Sequence, residues 1–444
     1  MSGGASKSYL VEPVTQVGGS LAVPGDKSIS HRALMFGGIA TGTTRISGFL
    51  DSADCRATLE ALRALGVKIE RPGSGEILVS GAGAGGLRAP GTALDMGNAG
   101  TAMRLFMGLL AGQSFDSTLI GDESLMRRPM ERVAKPLRLM GARLDTEQGH
   151  PPVRIRGGSA LHGIDYVLPM ASAQVKSAIL LAGLHATGVT RVTEPAPTRD
   201  HTERMLQSFG VGLERSGAAG SGATVSLRGG QSLRGTTVTV PGDISSAAFF
   251  IVAGCLAAKS GLTLRSVGVN PTRTGLIDML RLMGADIEVK PLIGAGSEPM
   301  ADITVRAAPL QGVVLPEQLV PLAIDELPVF FIAAACAQGE TLVTGAAELR
   351  VKESDRLAAM ASGLRATGVQ CELLSDGIRI QGGGLRGGHV HSHGDHRIAM
   401  AFAVASTRAT SAIEIDDVAN VGTSFPDFPA AARAIGLQLT ERGN

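Results

Sequence analysis

The sequence predicts a mixed α/β fold in which two similar domains each contain three copies of one repeat. Six segments share a helix-like stretch that ends in glycine and is followed by a strand of alternating apolar and polar residues. The glycines of these segments are Gly66, Gly141, Gly210, Gly284, Gly368 and Gly436. Successive glycines lie 75, 69, 74, 84 and 68 residues apart, a regularity that indicates an internal repeat.

Each glycine suits a left-handed helix cap, because glycine adopts a positive φ at little cost. The first five copies are each followed by a second predicted strand, at 76–81, 153–158, 224–230, 301–307 and 377–382. The sixth copy runs to the last residues and has no such partner. We therefore predict that the strand-like segment 9–17 pairs with the sixth copy.

A Val-Pro-Gly-Asp turn occurs twice, at 23–26 and at 240–243, and these turns are natural crossovers between domains. We predict one domain at 24–241, with repeats 1–3, and another made of 1–23 plus 242–444, with repeats 4–6. Two domains joined by two strands imply a hinge and a substrate cleft between them.

Composition excludes several classes of partner. The net charge is +1, aromatic residues make up 3% of the chain and tryptophan is absent, which argues against a nucleic-acid-binding surface. The first nine residues do not resemble a signal peptide, and the apolar run 247–258 is too short to span a bilayer. Four scattered cysteines suggest reduced thiols. We expect a soluble, cytoplasmic protein without nucleic-acid or membrane partners.

The densest cluster of polar chemistry is 25–32, which contains Lys27, Ser28, Ser30, His31 and Arg32 after a proline-glycine turn. A turn into a helix N-terminus offers free N–H groups and a favourable dipole, so these residues predict a phosphate or carboxylate site. An ordinary capped helix with solvated charges is the alternative.

Similar clusters recur in later repeats. A glycine-rich turn, 95–104, precedes the apolar run 105–110, and Arg127 and Arg128 precede a proline. The segment 172–177 opens another apolar helix, and 199–203 begins the helix that ends at Gly210. Each feature alone is weak evidence, because small-residue turns before helices and surface arginines are common.

The second half of the chain adds carboxylates. Asp325 lies within the apolar run 319–337, where desolvation can tune a carboxylate for base catalysis. Lys352 and Arg356 are four residues apart, which places them on one helix face, with Glu353 beside them; a solvated helix face is the alternative. Arg397 opens the helix 398–405. Cations from both domains predict small polyanionic ligands, and the base candidates are carboxylates.

Segments 24–32, 97–104, 128–129, 172–176, 350–357 and 395–400 resemble the signature segments of the 5-enolpyruvylshikimate-3-phosphate (EPSP) synthase family. The resemblance implies the enolpyruvyl transferase fold, with three βαβαββ units in each domain. It implies transfer of the enolpyruvyl group of phosphoenolpyruvate to the 5-hydroxyl of shikimate-3-phosphate through a tetrahedral intermediate, with release of phosphate. It also implies no metal and no organic cofactor.

The resemblance assigns roles residue by residue. Asp325 would be the base for the 5-hydroxyl, Glu353 a proton-transfer partner at the methylene carbon, and Lys27 a contact of both substrates. The shikimate-3-phosphate site would contain Lys27, Ser28, Arg32, Ser172, Ala173, Gln174, Arg199, Asp325 and Lys352. The phosphoenolpyruvate site would contain Lys27, Asn98, Gly100, Arg128, Gln174, Arg356, His396 and Arg397.

Several positions resemble a second class of the family. Ala173, Leu105 and Thr423 replace a serine, a proline and a lysine of the better-known class. The segments 172–176, 199–203 and 270–273 match the second class, in which Arg199 would take over a phosphate contact. The missing lysine at Thr423 would leave the phosphoenolpyruvate site one cation short.

Three alternatives compete with this interpretation. The sister transferase that acts on UDP-N-acetylglucosamine carries a reactive cysteine in the loop matching 111–129, where this chain has none. A non-catalytic scaffold would be expected to have lost Asp325, Glu353 or Lys27. His389, His391, His393 and His396 invite a metal site, but we interpret the first three as a solvated glycine-rich loop. We expect a monomer.

Overall fold

The structure, a computed structural model, describes residues 7–73, 75–217, 222–293 and 296–443. The chain divides into two compact units. Unit 1 consists of Met1–Pro24, Pro241–Ala295 and Pro299–Asn444, and unit 2 consists of Gly25–Val240 with Gly296–Glu298. The divisions near Pro24 and Pro241 fall inside the two Val-Pro-Gly-Asp turns.

Helices follow the predicted repeat. Within the described residues the α-helices are α1 (Lys27–Ile39), α2 (Ala53–Ala64), α3 (Gly100–Ala111), α4 (Glu123–Met126), α5 (Glu131–Leu139), α6 (Ala173–Gly183), α7 (His201–Ser208), α8 (Ile244–Ala257), α9 (Gly275–Leu282), α10 (Leu327–Cys336), α11 (Arg356–Ala366), α12 (His396–Ala405) and α13 (Phe428–Ala434). Short 3₁₀ helices are Glu317–Leu322, Ala347–Val351 and Ala419–Thr423. In the part of the chain that is described, no helix has the length and apolar character needed to cross a membrane.

Strands alternate with these helices. In the described ranges they are β1 (Ser8–Glu12), β2 (Gly19–Ala22), β3 (Thr41–Ser47), β4 (Lys68–Gly73), β5 (Glu76–Ala82), β6 (Leu94–Asp95), β7 (Ser117–Ile120), β8 (Arg143–Glu147), β9 (His150–Arg156), β10 (Asp165–Val167), β11 (Val189–Thr193), β12 (Leu213–Ser216), β13 (Thr224–Arg228), β14 (Thr237–Thr239), β15 (Leu262–Gly268), β16 (Asp286–Pro291), β17 (Met300–Arg306), β18 (Glu340–Val343), β19 (Cys371–Leu373), β20 (Ile378–Gln381), β21 (Gly388–His391), β22 (Ile413–Asp416) and β23 (Gln438–Arg442).

The sheets of unit 2 share one topology. Their strand orders are β14-β3-β5-β4, β6-β7-β9-β8 and β10-β11-β13-β12. In each sheet the first pair is parallel and the other two pairs are antiparallel. Each sheet with its two connecting helices is therefore one βαβαββ repeat.

Unit 1 repeats this topology. Its four-stranded sheets, β2-β15-β17-β16 and β21-β22-β1-β23, each have one parallel pair. The third sheet is β18-β20-β19, and isolated parallel bridges from Gln311 and Val314 stand where a fourth strand would lie. The predicted mixed α/β fold with six repeats is confirmed.

The predicted pairing of the first strand with the last repeat is also confirmed. Strand β1 lies between β22 and β23 and is antiparallel to both. The helix-capping prediction holds at all six repeat glycines, for example at Gly66 with φ 88° and Gly141 with φ 97°. A side chain at these positions would be strained, which explains why the pattern uses glycine.

Each unit has three inner helices that are apolar on almost every side. In unit 2 these are α1, α3 and α6, of which α3 packs against both of the others, and in unit 1 they are α8, α10 and α12. Helix α8 is buried along its whole length, as expected for a helix without a polar face. Polar clusters of the sequence lie at the N-termini of the inner helices α1, α3, α6 and α12, and two others, 199–203 and 350–356, lie at the starts of α7 and α11.

Two local predictions were wrong. The apolar helix α3 begins at Gly100 rather than at 105, because the small residues after Ala99 already fit helical geometry. Lys352 and Arg356 do not share a helix face: Lys352 is extended, and α11 begins at Arg356 after an N-cap from Asp355. The Asp355 carboxylate accepts a bond from the Ala358 N–H, which fixes the helix start after Lys352.

Candidate active site

The first turns of the three inner helices of unit 2 lie together. Arg32 of α1 donates to Ser177 of α6, and Arg104 of α3 donates to Gln174 of α6. Asp26 caps α1 and Ser172 caps α6 through their side chains. Because helix N-termini attract anions, this convergence favours an anion-binding site.

Arg32 is held by uncharged oxygens. It is 3% exposed, and its Nε donates to Thr202 Oγ1 at 2.7 Å and its Nη1 to the Ser28 carbonyl at 2.9 Å. Burial lowers the pKa of Arg32 to about 10, and the positive charge of Arg199 also lowers it. The guanidinium remains protonated at neutral pH, and Arg199 lies close enough to add a second positive charge.

Lys27 and Ala173 are two further residues of this unit that sequence motifs assigned to shikimate-3-phosphate. The Lys27 ammonium lies 2.8 Å from Asp54 Oδ2, and Asp54 belongs to the first turn of α2. The Ala173 carbonyl accepts a bond from Ser177, which itself binds Arg32. The structure therefore brings Ser28, Arg32 and Ala173 into one connected group.

A second connected group surrounds Gly100. Arg128 Nη2 donates to Asn98 Oδ1 at 2.5 Å, and Asn98 Nδ2 donates to Asp122. A Cβ placed on Gly100 would lie 3.0 Å from Arg128 Nη1 and 3.2 Å from Arg104 Nη1. Glycine at this position lets two guanidinium groups approach the start of α3.

Gln174 joins this group to α6. Its amide oxygen accepts from Arg104 at 2.8 Å, and its amide nitrogen donates to Thr101 at 2.9 Å. Arg104 was part of the sequence motif but was not assigned a role. Its burial and its position between Gln174 and Gly100 place it in the group.

In unit 1, Arg356 is surrounded by carboxylates. It is 1% exposed and lies 2.8 Å from Asp395, 3.1 Å from Asp325 and 2.6 Å from Glu353. Burial alone would lower the pKa of Arg356, but the carboxylates of Asp395, Glu353 and Asp325 outweigh it and raise the pKa. This arginine fixes the positions of both carboxylates that were predicted to be catalytic.

Asp325 lies between the 3₁₀ helix Glu317–Leu322 and α10, two residues before α10 begins. Cations surround it. Its Oδ1 is 3.4 Å from Lys352 Nζ and 3.1 Å from Arg356 Nη1, and its carbonyl accepts from Arg397 Nη1 at 2.9 Å. The side chain is 14% exposed, so it is largely shielded but reachable. Cations at these distances favour the ionised carboxylate, the form that can accept a proton.

A buried network next to Asp325 was missed by the sequence analysis. Glu326 accepts a hydrogen bond from Ser245 and lies 3.6 Å from Arg397 Nη1. Arg273 donates to the same Ser245 at 2.7 Å. The second-class segment 270–273 thus reaches Arg397 through Ser245 and Glu326. The available sequence signal was the place of Glu326 beside Asp325 in the apolar run 319–337.

The histidines have different surroundings. His396 is buried in the first turn of α12, next to Arg397. His389 lies 2.7 Å from Asp416, and the rings of His391 and His393 have centroids 4.6 Å apart and planes tilted by 34°. Among the described residues, no cluster of three or more histidine, cysteine or acidic side chains could hold a metal ion.

Comparison with known proteins gives consistent matches. The family model described as EPSP synthase (3-phosphoshikimate 1-carboxyvinyltransferase) matches residues 11–431. A 3-phosphoshikimate 1-carboxyvinyltransferase of Alkalilimnicola ehrlichii is 61% identical over 434 residues, covering 97% of this chain and 96% of that protein. The one from Halorhodospira halophila is 60% identical over 439 residues, covering 98% of both.

Solved structures agree with this result. EPSP synthase from Acinetobacter baumannii has a TM-score of 0.88 and 52% identity, covering 98% of this chain and all of that chain. The enolpyruvyl transferase NikO from Streptomyces tendae has a TM-score of 0.80 at 18% identity, covering 99% of this chain and all of that chain. The NikO likeness is evidence for the fold alone.

Proposed function

This chain belongs to the EPSP synthase family, and from that membership we propose how its site residues divide the work of the reaction. The chain transfers the enolpyruvyl group of phosphoenolpyruvate to the 5-hydroxyl of shikimate-3-phosphate and releases phosphate. The transfer is an addition followed by an elimination, and it belongs to the shikimate pathway to aromatic amino acids.

The group around Arg32 binds shikimate-3-phosphate, and the segment at Ser172, Ala173 and Gln174 lies at its phosphate. Arg32, Lys27 and Arg199 supply positive charge, and the start of α6 at Ser172, Ala173 and Gln174 supplies N–H donors. Support comes from the partners of Arg32, which are hydroxyls and a carbonyl. These oxygens hold the guanidinium without neutralising it, so its charge remains available to an anionic group of the substrate.

The group around Gly100 binds phosphoenolpyruvate in unit 2, through Asn98, Arg128, Gln174 and Lys27. The resemblance to the family assigns Arg356, Arg397 and His396 to the same substrate. A trianionic substrate needs several fixed cations, and fixed cations also stabilise charge that develops in the tetrahedral intermediate. The close approach of Arg128 to Gly100 supports this assignment.

Asp325 removes the proton of the 5-hydroxyl as that oxygen attacks C2 of phosphoenolpyruvate. Glu353 or Lys27 delivers a proton to the methylene carbon in the addition, and the elimination returns it as the C–O bond to phosphate breaks. Lys352 contacts shikimate-3-phosphate. The observation that carries this proposal is the contact of the Asp325 carboxylate with both Lys352 and Arg356, which holds it ionised.

Phosphate release from phosphoenolpyruvate tests this function directly. We expect release with shikimate-3-phosphate as acceptor, and neither without an acceptor nor with UDP-N-acetylglucosamine. Release with UDP-N-acetylglucosamine would favour the sister transferase. Tight binding of both anions without release would favour the non-catalytic scaffold.

We also propose the protein's domain division, oligomeric state and location. The domains proposed at 24–241 and at 1–23 plus 242–444 correspond to the two units, apart from Pro24, Pro241 and Gly296–Glu298. The protein acts as a monomer, because one chain supplies every residue assigned to the reaction. It acts in the cytoplasm, which suits its four free cysteines, each buried or half-buried.

A further inference from the structure

Four side chains of unit 1 form a chain of contacts that ends at Arg397, and the proposed function uses only Arg397. Arg273 Nη2 donates to Ser245 Oγ at 2.7 Å, and the Ser245 hydroxyl donates to Glu326 Oε1. Glu326 Oε1 in turn lies 3.6 Å from Arg397 Nη1. The side chains of Arg273 and Glu326 are buried, whereas that of Arg397 is 13% exposed. The contacts therefore lead from the interior of the unit to an accessible guanidinium.

Glu326 joins the starts of the three inner helices of unit 1. It is the N-cap residue of α10, Ser245 lies in the first turn of α8, and Arg397 lies in the first turn of α12. The N-terminus of a helix carries a partial positive charge, which favours a carboxylate at this point. One buried carboxylate thus connects Ser245 and Arg397, two residues that lie far apart in the chain.

Arg397 is held through one of its nitrogens. Its Nη1 donates to the Asp325 carbonyl at 2.9 Å and faces Glu326 Oε1 at 3.6 Å. Within the described part of the chain, Arg397 Nε and Nη2 make no hydrogen bond to another residue. The edge of a guanidinium formed by Nε and Nη2 can bind a carboxylate or a phosphate through two parallel bonds. The two contacts at Nη1 therefore set the direction of the side chain and leave this edge for a substrate anion.

Glu326 is poorly suited to a purely stabilising role. Its Oε2 is buried and has no hydrogen-bond partner among the described residues. Its Oε1 lies 3.9 Å from Arg273 Nη2, but that nitrogen is shared with Asp243, whose Oδ1 lies 3.5 Å away. A buried carboxylate loses its hydration, and incomplete pairing does not compensate for that loss. The contact of Glu326 with Arg397 is therefore better explained by orientation of the arginine than by stability.

We propose that Glu326, held by Ser245 and Arg273, is the positioning residue that orients Arg397 for phosphoenolpyruvate. Glu326 is 1% exposed, so it acts through Arg397 and does not touch the substrate itself. The ion pair keeps Nη1 in place, and a fixed guanidinium binds an anion with a smaller loss of side-chain freedom. This inference rests on the proposed function, which assigns Arg397 to phosphoenolpyruvate.

The test compares Glu326→Gln and Ser245→Ala with the wild type and with Arg397→Ala. Glutamine keeps an oxygen for the Ser245 hydroxyl but removes the negative charge that faces Arg397. The double variant Glu326→Gln/Arg397→Ala shows whether the two residues act together. Glu317→Gln is the matched control, because Glu317 is an exposed glutamate of the 3₁₀ helix that precedes α10. The readouts are kcat and the KM for each substrate, both from phosphate release, and Tm.

We expect Glu326→Gln to raise the KM for phosphoenolpyruvate about five- to fiftyfold, because a contact between charged groups in a buried network is lost. The KM for shikimate-3-phosphate and kcat should each change less than about threefold. Ser245→Ala should produce the same selective increase, and it decides the test if Glu326→Gln does not fold. Glu317→Gln should keep the wild-type values.

The double variant separates positioning from a structural effect. Arg397→Ala should raise the KM for phosphoenolpyruvate at least as much as Glu326→Gln does. Adding Glu326→Gln to Arg397→Ala should change that KM by less than about twofold, because the residue through which Glu326 acts is already absent. A glutamate that only stabilised the fold would have the same effect with and without Arg397.

Equal increases for both substrates, an unchanged KM for phosphoenolpyruvate in Glu326→Gln, or the same effect of Glu326→Gln with and without Arg397 would each overturn the inference. A fall in kcat with unchanged KM values would show that Glu326 acts on its neighbour Asp325, which would also overturn it. If Arg397→Ala raises the KM for phosphoenolpyruvate while Glu326→Gln and Ser245→Ala do not, the inference fails and the proposed role of Arg397 survives. If Arg397→Ala leaves that KM unchanged, the proposed assignment of Arg397 is itself wrong.

Discussion

Two buried arginines of this protein have opposite surroundings. Arg32 binds hydroxyls and a carbonyl, and burial lowers its pKa to about 10. Arg356 binds three carboxylates, which raise its pKa despite burial. An arginine with uncharged hydrogen-bond partners is suited to an incoming anion, whereas Arg356, which is assigned to phosphoenolpyruvate, also fixes the carboxylates of Asp325 and Glu353.

The tight space at Gly100 gives a prediction at the residue scale. Gly100→Ala should raise the KM for phosphoenolpyruvate about three- to thirtyfold, because the methyl group must displace Arg128 or Arg104 by a few tenths of an ångström. The KM for shikimate-3-phosphate should stay near the wild-type value. Gly91→Ala is the matched control, since a Cβ there meets nothing within 4 Å. An unchanged KM for phosphoenolpyruvate would remove Gly100 from that site.

His31 gives a prediction for the pH dependence of stability. Burial lowers its pKa from 6.5 to about 4, so the unfolded state binds the proton more readily than the folded state. The free energy of unfolding should therefore fall as pH drops from about 6.5 to about 4, by up to roughly 3 kcal/mol from this residue. His31→Gln, measured by urea denaturation at pH 7 and pH 4.5, should reduce this dependence. An identical slope in the variant would contradict the assignment.

At the scale of elements, the site is made where helices begin. The helices α1, α3 and α6 start with Lys27, Gly100 and Ala173, so motifs separated by about seventy residues meet in one place. The sequence predicted a helix after each turn because turn residues precede apolar runs, although it placed the start of α3 at 105 instead of Gly100. It did not predict contacts between helices, such as the pairing of Lys176 of α6 with Glu203 of α7, because these contacts depend on how two helices pack.

The wrong prediction for Lys352 and Arg356 also has its cause at the scale of elements. The spacing of Lys352 and Arg356 suggested one helix face, but the Asp355 cap begins α11 between them. Their side chains still meet, because both bind Asp325 from different directions. Glu326 was given no role because its sequence neighbour Asp325 already explained an acidic residue in the apolar run 319–337.

The buried link between α6 and α7 gives a stability prediction. Lys176→Met should lower the free energy of unfolding by about 3–5 kcal/mol, because it leaves the carboxylates of Glu194 and Glu203 buried without their cation. Lys135→Met, at an exposed position of α5, should change it by less than about 0.5 kcal/mol. Denaturant unfolding of both variants checks this. Equal stability of the two variants would show that the buried carboxylates do not depend on Lys176.

At the scale of the whole molecule, the six repeats explain how strands that are distant in the chain come to share a sheet. Strand β14 completes the sheet of the first repeat, β2 that of the fourth, and β1 that of the sixth. The glycine period predicted six repeats, and the unpaired sixth copy predicted the return of the first strand. The reduced fourth strand near Gln311 was not predictable, because hydrogen-bond geometry rather than residue pattern decides whether a short extended segment joins a sheet.

The turnover of Asp325→Asn tests the central claim, that this chain transfers an enolpyruvyl group with Asp325 as the base. The variant keeps the shape of the side chain and an oxygen for Arg356, but it cannot accept the 5-hydroxyl proton. We predict that kcat falls about 10²- to 10⁴-fold while the Kd for shikimate-3-phosphate changes little. Asp286→Asn, at an exposed position of β16, should retain wild-type kcat. A kcat for Asp325→Asn within a few-fold of the wild type would contradict the account.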